Sequence, residues 1–212
     1  MEMSELPCEE GCEEQVVINF RKIPLLMRTA PFWSGPAVHD TKIVNLTIRD
    51  FSGKYLVMVF YPSDFSIVCP TELIQFSDRA EEFQDLDAEI IAISTDSQYT
   101  HLAWVTIPRK QGGIGEMNIP LLADKNQRIS KRYGVLETEL GVSAKAVFVI
   151  DREQNIRHMS ITDMAIPRSV DETLRVIQAC QFVDKYGTIC PMRPQKTEAG
   201  EIDPEFDEDK KE

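Results

Sequence analysis

The stretch from Tyr55 to Glu72, YLVMVFYPSDFSIVCPTE, decides the fold, because it reads as a strand, a loop and a helix start in immediate succession. Tyr55 to Tyr61 is apolar at consecutive positions, as a central strand buried on both faces must be, and Pro62 ends it by withholding a backbone N–H. Cys69 stands just before a helix that Pro70 opens in its first turn, where proline's fixed φ suits the helix and its missing N–H is no loss. A helix N-terminus offers unpaired N–H groups and the positive end of the dipole, so a thiol there is biased towards thiolate, the reactive form. Ser66, three residues earlier, can supply a hydroxyl to the sulfur or to a bound oxygen substrate. Cys69-Pro70-Thr71-Glu72 lacks the second cysteine of a C-x-x-C dithiol, so any disulfide partner of Cys69 comes from far away. The bland alternative is that Cys69 is a small core residue, since free cysteine is among the most buried types.

Working outward, Leu73, Phe76, Ala80 and Phe83 recur at intervals of 3, 4 and 3, the spacing of one helix face. Glu89 to Ser94 reads as a second buried strand and Gln98 to Val105 as a short helix. Pro108 to Asn118, with Gly112, Gly113 and Gly115, reads as a loop, and Gln127 to Tyr133 as a helix ended by Gly134. Ala146 to Ile150 and Ile156 to Ile161 form an antiparallel hairpin about the turn Asp151 to Asn155. Ser169 with Glu172 makes a capping box for a helix to about Phe182. Upstream, Thr41 to Ile48 alternates as a strand. Strand, helix, strand, helix, then hairpin and helix predicts an α/β layer sandwich with a mixed sheet.

The chain has 212 residues, 42% of them apolar, enough for one domain with a sizeable core. Its net charge of −12 argues against nucleic acid and against a basic membrane-binding face. Residues 1–14 hold six Glu and no base, and residues 196–212 hold eight acids against three Lys, so the middle is almost neutral. The expected organisation is a mobile acidic N-terminal tail over 1–20, one domain over 21–186, and a C-terminal arm over 187–212 carrying Cys190 and an acidic tail. No apolar run approaches the roughly 18 to 20 residues of a membrane span, and no signal peptide is visible. Five cysteines are too few and too scattered for a disulfide scaffold, which points to a reducing compartment, the cytoplasm by default. Cys8 and Cys12 read as adventitious thiols and Cys180 as a core residue of its helix. His39, His101 and His158 show no ligand spacing to any of them.

Pro62, Ser66 and Cys69 match the P-x-x-x-[T/S]-x-x-C signature of peroxiredoxins. The stretches FSDRAEEF, HLAW, PRKQGGIGEMNIPLLAD, YGVL, FVID, PRSVDETLRVIQACQF and GTICP extend the match over roughly residues 24–191, and the chain resembles a typical two-cysteine peroxiredoxin. The resemblance implies a thioredoxin-like fold and a peroxidase acting on hydrogen peroxide and organic hydroperoxides, recycled by thioredoxin, with no metal or organic cofactor. It makes Cys69 the peroxidatic residue and Cys190 the resolving residue, joined as an intersubunit disulfide in a head-to-tail homodimer and a ring-shaped decamer. Pro62 would shield the sulfur, the Ser66 hydroxyl would orient peroxide, and Glu72 and Arg168 would bond around the site.

Two features depart from the family pattern. Lys145 stands where the family carries an arginine, keeping a charge but losing the planar fork, so a weaker peroxide site is expected unless Arg168 alone suffices and Lys145 points to solvent. The tail EIDPEFDEDKKE lacks the Tyr-Phe that covers the site in members prone to overoxidation, although Gly112-Gly113-Ile114-Gly115 is present. A poorly pinned arm favours disulfide over sulfinic acid. The rival functional reading is a redox-responsive oligomeric chaperone holdase or peroxide relay with weak peroxidase activity. A non-redox binding module would require Cys69 and Cys190 to be coincidental.

Overall fold

The computed structural model describes residue 24 and residues 26–66 and 69–187, Cys69 by its backbone alone. The proposed tails, Cys8, Cys12 and Cys190 lie outside the described residues. Among the described residues, nine strands follow in chain order: β1 Ser34–His39, β2 Lys42–Thr47, β3 Tyr55–Phe60, β4 Ala88–Ser94, β5 Leu121–Ala123, β6 Leu136–Glu137, β7 Val142–Ser143, β8 Lys145–Ile150 and β9 Ile156–Thr162. The helices are α1 Cys69–Asp78, α2 Ala80–Gln84, α3 Gln98–Thr106, α4 Arg128–Arg132 and α5 Val170–Tyr186.

Seven strands form one sheet in the order β2-β1-β5-β4-β3-β8-β9, and β6 with β7 makes a small hairpin apart from it. The sheet is mixed: β3 runs parallel to β4, and β4 to β5, while β8 runs antiparallel to both β3 and β9. The expected thioredoxin-like architecture is therefore present. Every residue of β3 and β8 is buried, the condition that a continuous apolar run anticipates. Side-chain alternation divides them between two cores: Val57, Val59, Val147 and Val149 join Leu73, Phe76, Trp104 and Ile177, whereas Leu56, Met58, Phe60, Phe148 and Ile150 join Ile129 and Tyr133.

Several elements differ from the sequence reading. The single helix expected through Leu73 to Phe83 breaks at Arg79, which leaves helical geometry and pairs with Glu82 and Asp171. The last helix continues past Phe182 to Tyr186 and stops where Gly187 takes a left-handed φ of 65°. Strand β1 went unread because Gly35 and Pro36 argue against a strand. It bonds β5 only at Ala37 and Val38, so the missing N–H of Pro36 interrupts no ladder there. In the glycine-rich loop, Gly113 is required by contact: a Cβ at that position would lie 1.9 Å from the Ile107 carbonyl oxygen.

Candidate active site

The loop that leaves β3 is held by buried polar contacts. Tyr61 donates its hydroxyl to Asp64 at 2.8 Å, and the other Asp64 oxygen lies 2.7 Å from Nδ1 of His101 on α3. The Asp64 N–H donates to Asp96 at 2.8 Å, tying the loop to the end of β4. All three of Tyr61, Asp64 and His101 are buried. Phe65 adopts a left-handed φ of 55°, an uncommon conformation for a bulky residue, with its ring 5.8 Å from that of Trp104. Neither Asp64 nor His101 was singled out from the sequence as a site residue. His101 carried no metal-ligand spacing, and its role comes from folding α3 against the loop.

Pro62 and Ser66 sit half-buried on this loop, and the Ser66 hydroxyl is enclosed without a hydrogen-bond partner among the described residues. Cys69 opens α1, one residue earlier than the sequence suggested, and Pro70 lies in the first turn as expected. The backbone of Cys69 therefore stands at the N-terminal end of a ten-residue helix, where the field of the aligned peptide dipoles is positive.

Glu72 lies one turn along α1 and is buried. Its Oε1 accepts from the backbone N–H of Arg168 at 2.7 Å and from Arg168 Nε at 2.5 Å. Its Oε2 forms an ion pair with Lys145 Nζ at 3.3 Å, outside hydrogen-bond geometry. Burial alone would raise the Glu72 carboxyl, but the hydrogen bonds and charge of Arg168, with the charge of Lys145, outweigh it and hold the carboxyl below its ordinary range. Arg168 Nη1 donates to the carbonyls of Phe60 at 2.5 Å and Ala146 at 2.6 Å, the facing residues at the end of the β3–β8 ladder. Arg168 Nη2 is buried without a hydrogen-bond partner among the described residues.

Lys145 does not point to solvent. It is 0% exposed, and its ammonium also approaches the Ile166 carbonyl at 3.4 Å. The structure thus brings Glu72, Lys145 and Arg168 into one buried cluster beside the first turn of α1. Two cations against one carboxylate leave it with an excess positive charge, the setting that stabilises a thiolate. Ser169 caps α5 immediately after Arg168, its hydroxyl accepting from the Glu172 N–H at 3.2 Å, while Glu172 turns to Arg175 instead of back to the cap. Cys180 is half-buried against the larger core, in keeping with its reading as a packing residue. Among the described residues, no group of three or more His, Cys, Asp or Glu side chains could hold a metal ion.

The AhpC/TSA family model matches residues 27–159, which spans β1 through most of β9. The chain belongs to the AhpC/TSA family. Peroxiredoxin 2 of Drosophila melanogaster is 50% identical over 169 residues, covering 80% of this chain and 87% of that protein. The mitochondrial thioredoxin-dependent peroxide reductase of Mus musculus is 47% identical over 168 residues, covering 79% and 65%. Among solved structures, the reduced 2-Cys peroxiredoxin of Plasmodium vivax superposes with a TM-score of 0.78 at 40% identity, covering 81% of this chain and 89% of that one.

Proposed function

We propose that the chain reduces hydrogen peroxide and organic hydroperoxides, with Cys69 as the peroxidatic residue and Cys190 as the resolving one. It is a thiol peroxidase of the peroxiredoxin type. The Cys69 thiolate attacks one peroxide oxygen, the S–O bond forms as the O–O bond breaks, and the departing alkoxide or hydroxide takes up a proton. The Cys190 thiolate then displaces hydroxide from the sulfenic acid to give a disulfide, which the dithiol of thioredoxin reduces by exchange. The observation that carries this reading is the buried, net positive cluster of Glu72, Lys145 and Arg168 packed beside the helix start that Cys69 opens. Ser66 supplies a hydroxyl to the peroxide and Pro62 walls the loop against water.

A homodimer, and a decamer built from it, is supported by the outer edge of β9. That strand ends the sheet, bonded to β8 on one side, with Ile161 55% exposed. The domain is taken to span 21–186, between an acidic tail over 1–20 and an arm over 187–212. No helix among the described residues is long and apolar enough to cross a membrane. The scattered cysteines favour a cytoplasmic setting. The holdase reading rested on a weakened cation at position 145, and the ammonium of Lys145 remains inside the cluster.

The test is peroxide consumption coupled to thioredoxin, with non-reducing gels after one equivalent of hydrogen peroxide. Wild type should give a dimer band that both Cys69→Ser and Cys190→Ser abolish, and Cys69→Ser should lose turnover. A Cys69→Ser chain that still consumes peroxide overturns the assignment.

A further inference from the structure

We propose that Lys145 is a positioning residue that acts through Glu72, and that the guanidinium presented to the peroxide is that of Arg168. The inference rests on the thiol-peroxidase reading above. Its starting point is how the two cations divide one carboxylate. Oε1 belongs to Arg168, which reaches it with both its backbone N–H and Nε, and Oε2 faces Lys145. The remaining neighbour of the ammonium is the Ile166 carbonyl, two residues before Arg168. Lys145 therefore braces both the carboxylate that Arg168 grips and the backbone that leads into Arg168.

An arginine at position 145 could grip Glu72 with one edge of its fork and keep a second pair of N–H groups for a substrate. Lysine has no second edge. Its nitrogen is fully enclosed and committed to Glu72 and Ile166. Arg168 carries five N–H donors. Nε is spent on Glu72 and Nη1 on the Phe60 and Ala146 carbonyls, so the unspent donors are those of Nη2, buried without a hydrogen-bond partner among the described residues. Buried donors of this kind are costly to leave unpaired, and that cost is returned when an oxygen of the peroxide accepts from them. The charge that develops on the departing oxygen during O–O cleavage falls to Nη2, and Lys145 sets where Nη2 points.

A double-mutant cycle on the full-length chain tests this, reading single-turnover oxidation of Cys69 by hydrogen peroxide and the pH dependence of Cys69 alkylation. Lys145→Met and Glu72→Gln should each slow oxidation about 10-fold, within the coupling range of contacting residues, and the double variant should be no more than about 2-fold slower than the slower single. Lys145→Met, which removes a cation from the cluster, should move the alkylation profile to higher pH, and Glu72→Gln, which removes its anion, to lower pH, while Lys145→Arg should restore oxidation to the wild-type rate or above. If Lys145→Met fails to fold, the cycle is repeated with Lys145→Gln. Losses that multiply in the double variant, or a Lys145→Met chain that oxidises at the wild-type rate, overturn the inference. Either outcome leaves the Cys69 assignment standing, because that assignment is judged by Cys69→Ser.

Discussion

Arg168 and Glu72 are joined twice at a single oxygen: the backbone N–H and Nε of Arg168 both donate to Oε1 of Glu72, at 2.7 and 2.5 Å. The two residues are 96 positions apart in the chain. Their pairing fastens the segment before α5 to the first turn of α1, and Nη1 carries the same guanidinium on to the ends of β3 and β8. Removing Arg168 leaves the buried carboxylate to Lys145 alone and takes a donor from two carbonyls. Arg168→Met is expected to cost about 3 to 5 kcal/mol of stability. Urea unfolding measures it, and a loss near zero would mean that the cluster relaxes without Arg168.

The charge of Glu72 links stability to acid. Its folded carboxyl titrates below its unfolded value, so its stabilisation is fully present above the unfolded Glu pKa of about 4.3 and is lost as pH falls through the lower folded value. The stability gap between wild type and Glu72→Gln should stay constant above about pH 5 and narrow below about pH 4. Thermal unfolding across that range checks the sign, and a gap that widens in acid would contradict it.

Asp64 answers for two buried groups at once, the Tyr61 hydroxyl and Nδ1 of His101. Asp64→Ala leaves both without that partner and frees the loop that bears Pro62 and Ser66. The expected cost is about 2 to 6 kcal/mol, at 1 to 3 for each orphaned group. Peroxide reactivity should fall along with stability. Retention of both in stopped-flow oxidation and urea unfolding would show that the loop holds itself.

Neighbouring glycines should respond unequally. Gly112 has a positive φ of 87° and open space around it, so Gly112→Ala should cost only the backbone strain, about 1 kcal/mol. Gly113→Ala would drive a methyl group to 1.9 Å from a backbone oxygen of Ile107, which cannot swing aside as a side chain can. Its loss should exceed that of Gly112→Ala by more than about 1 kcal/mol, within the usual range for overpacking. Equal unfolding midpoints would refute the contact argument.

Much of the fold was legible because its signals are local. Continuous apolarity marked β3, period-2 alternation marked β2, and Ser169 with a following helical stripe marked α5. What escaped was set by neighbours. β1 reads poorly on its own because Gly35 and Pro36 lower its strand character, and it becomes a strand because β2 supplies a full antiparallel partner. Leu121 to Ala123 is too short to show alternation and is ordered by lying between β4 and β1. In the site, Glu72 and Arg168 were visible as matches to the family pattern and Lys145 as a departure from it. The division of one carboxylate between two cations was not, since it depends on distances between segments far apart in sequence.

The sequence by itself determined which chemistry this protein can carry: a cysteine at a helix start, flanked by prolines, with a hydroxyl three residues before it and no local dithiol partner. These follow from residue identity and spacing along a few turns of chain. The tertiary structure alone decided how the charges are shared. Lys145, which residue identity alone leaves either exposed or enclosed, is buried at the start of β8, between β3 and β9, and an ammonium there must find a counter-charge. Glu72 is that counter-charge, and it comes from a helix whose packing no local pattern specifies.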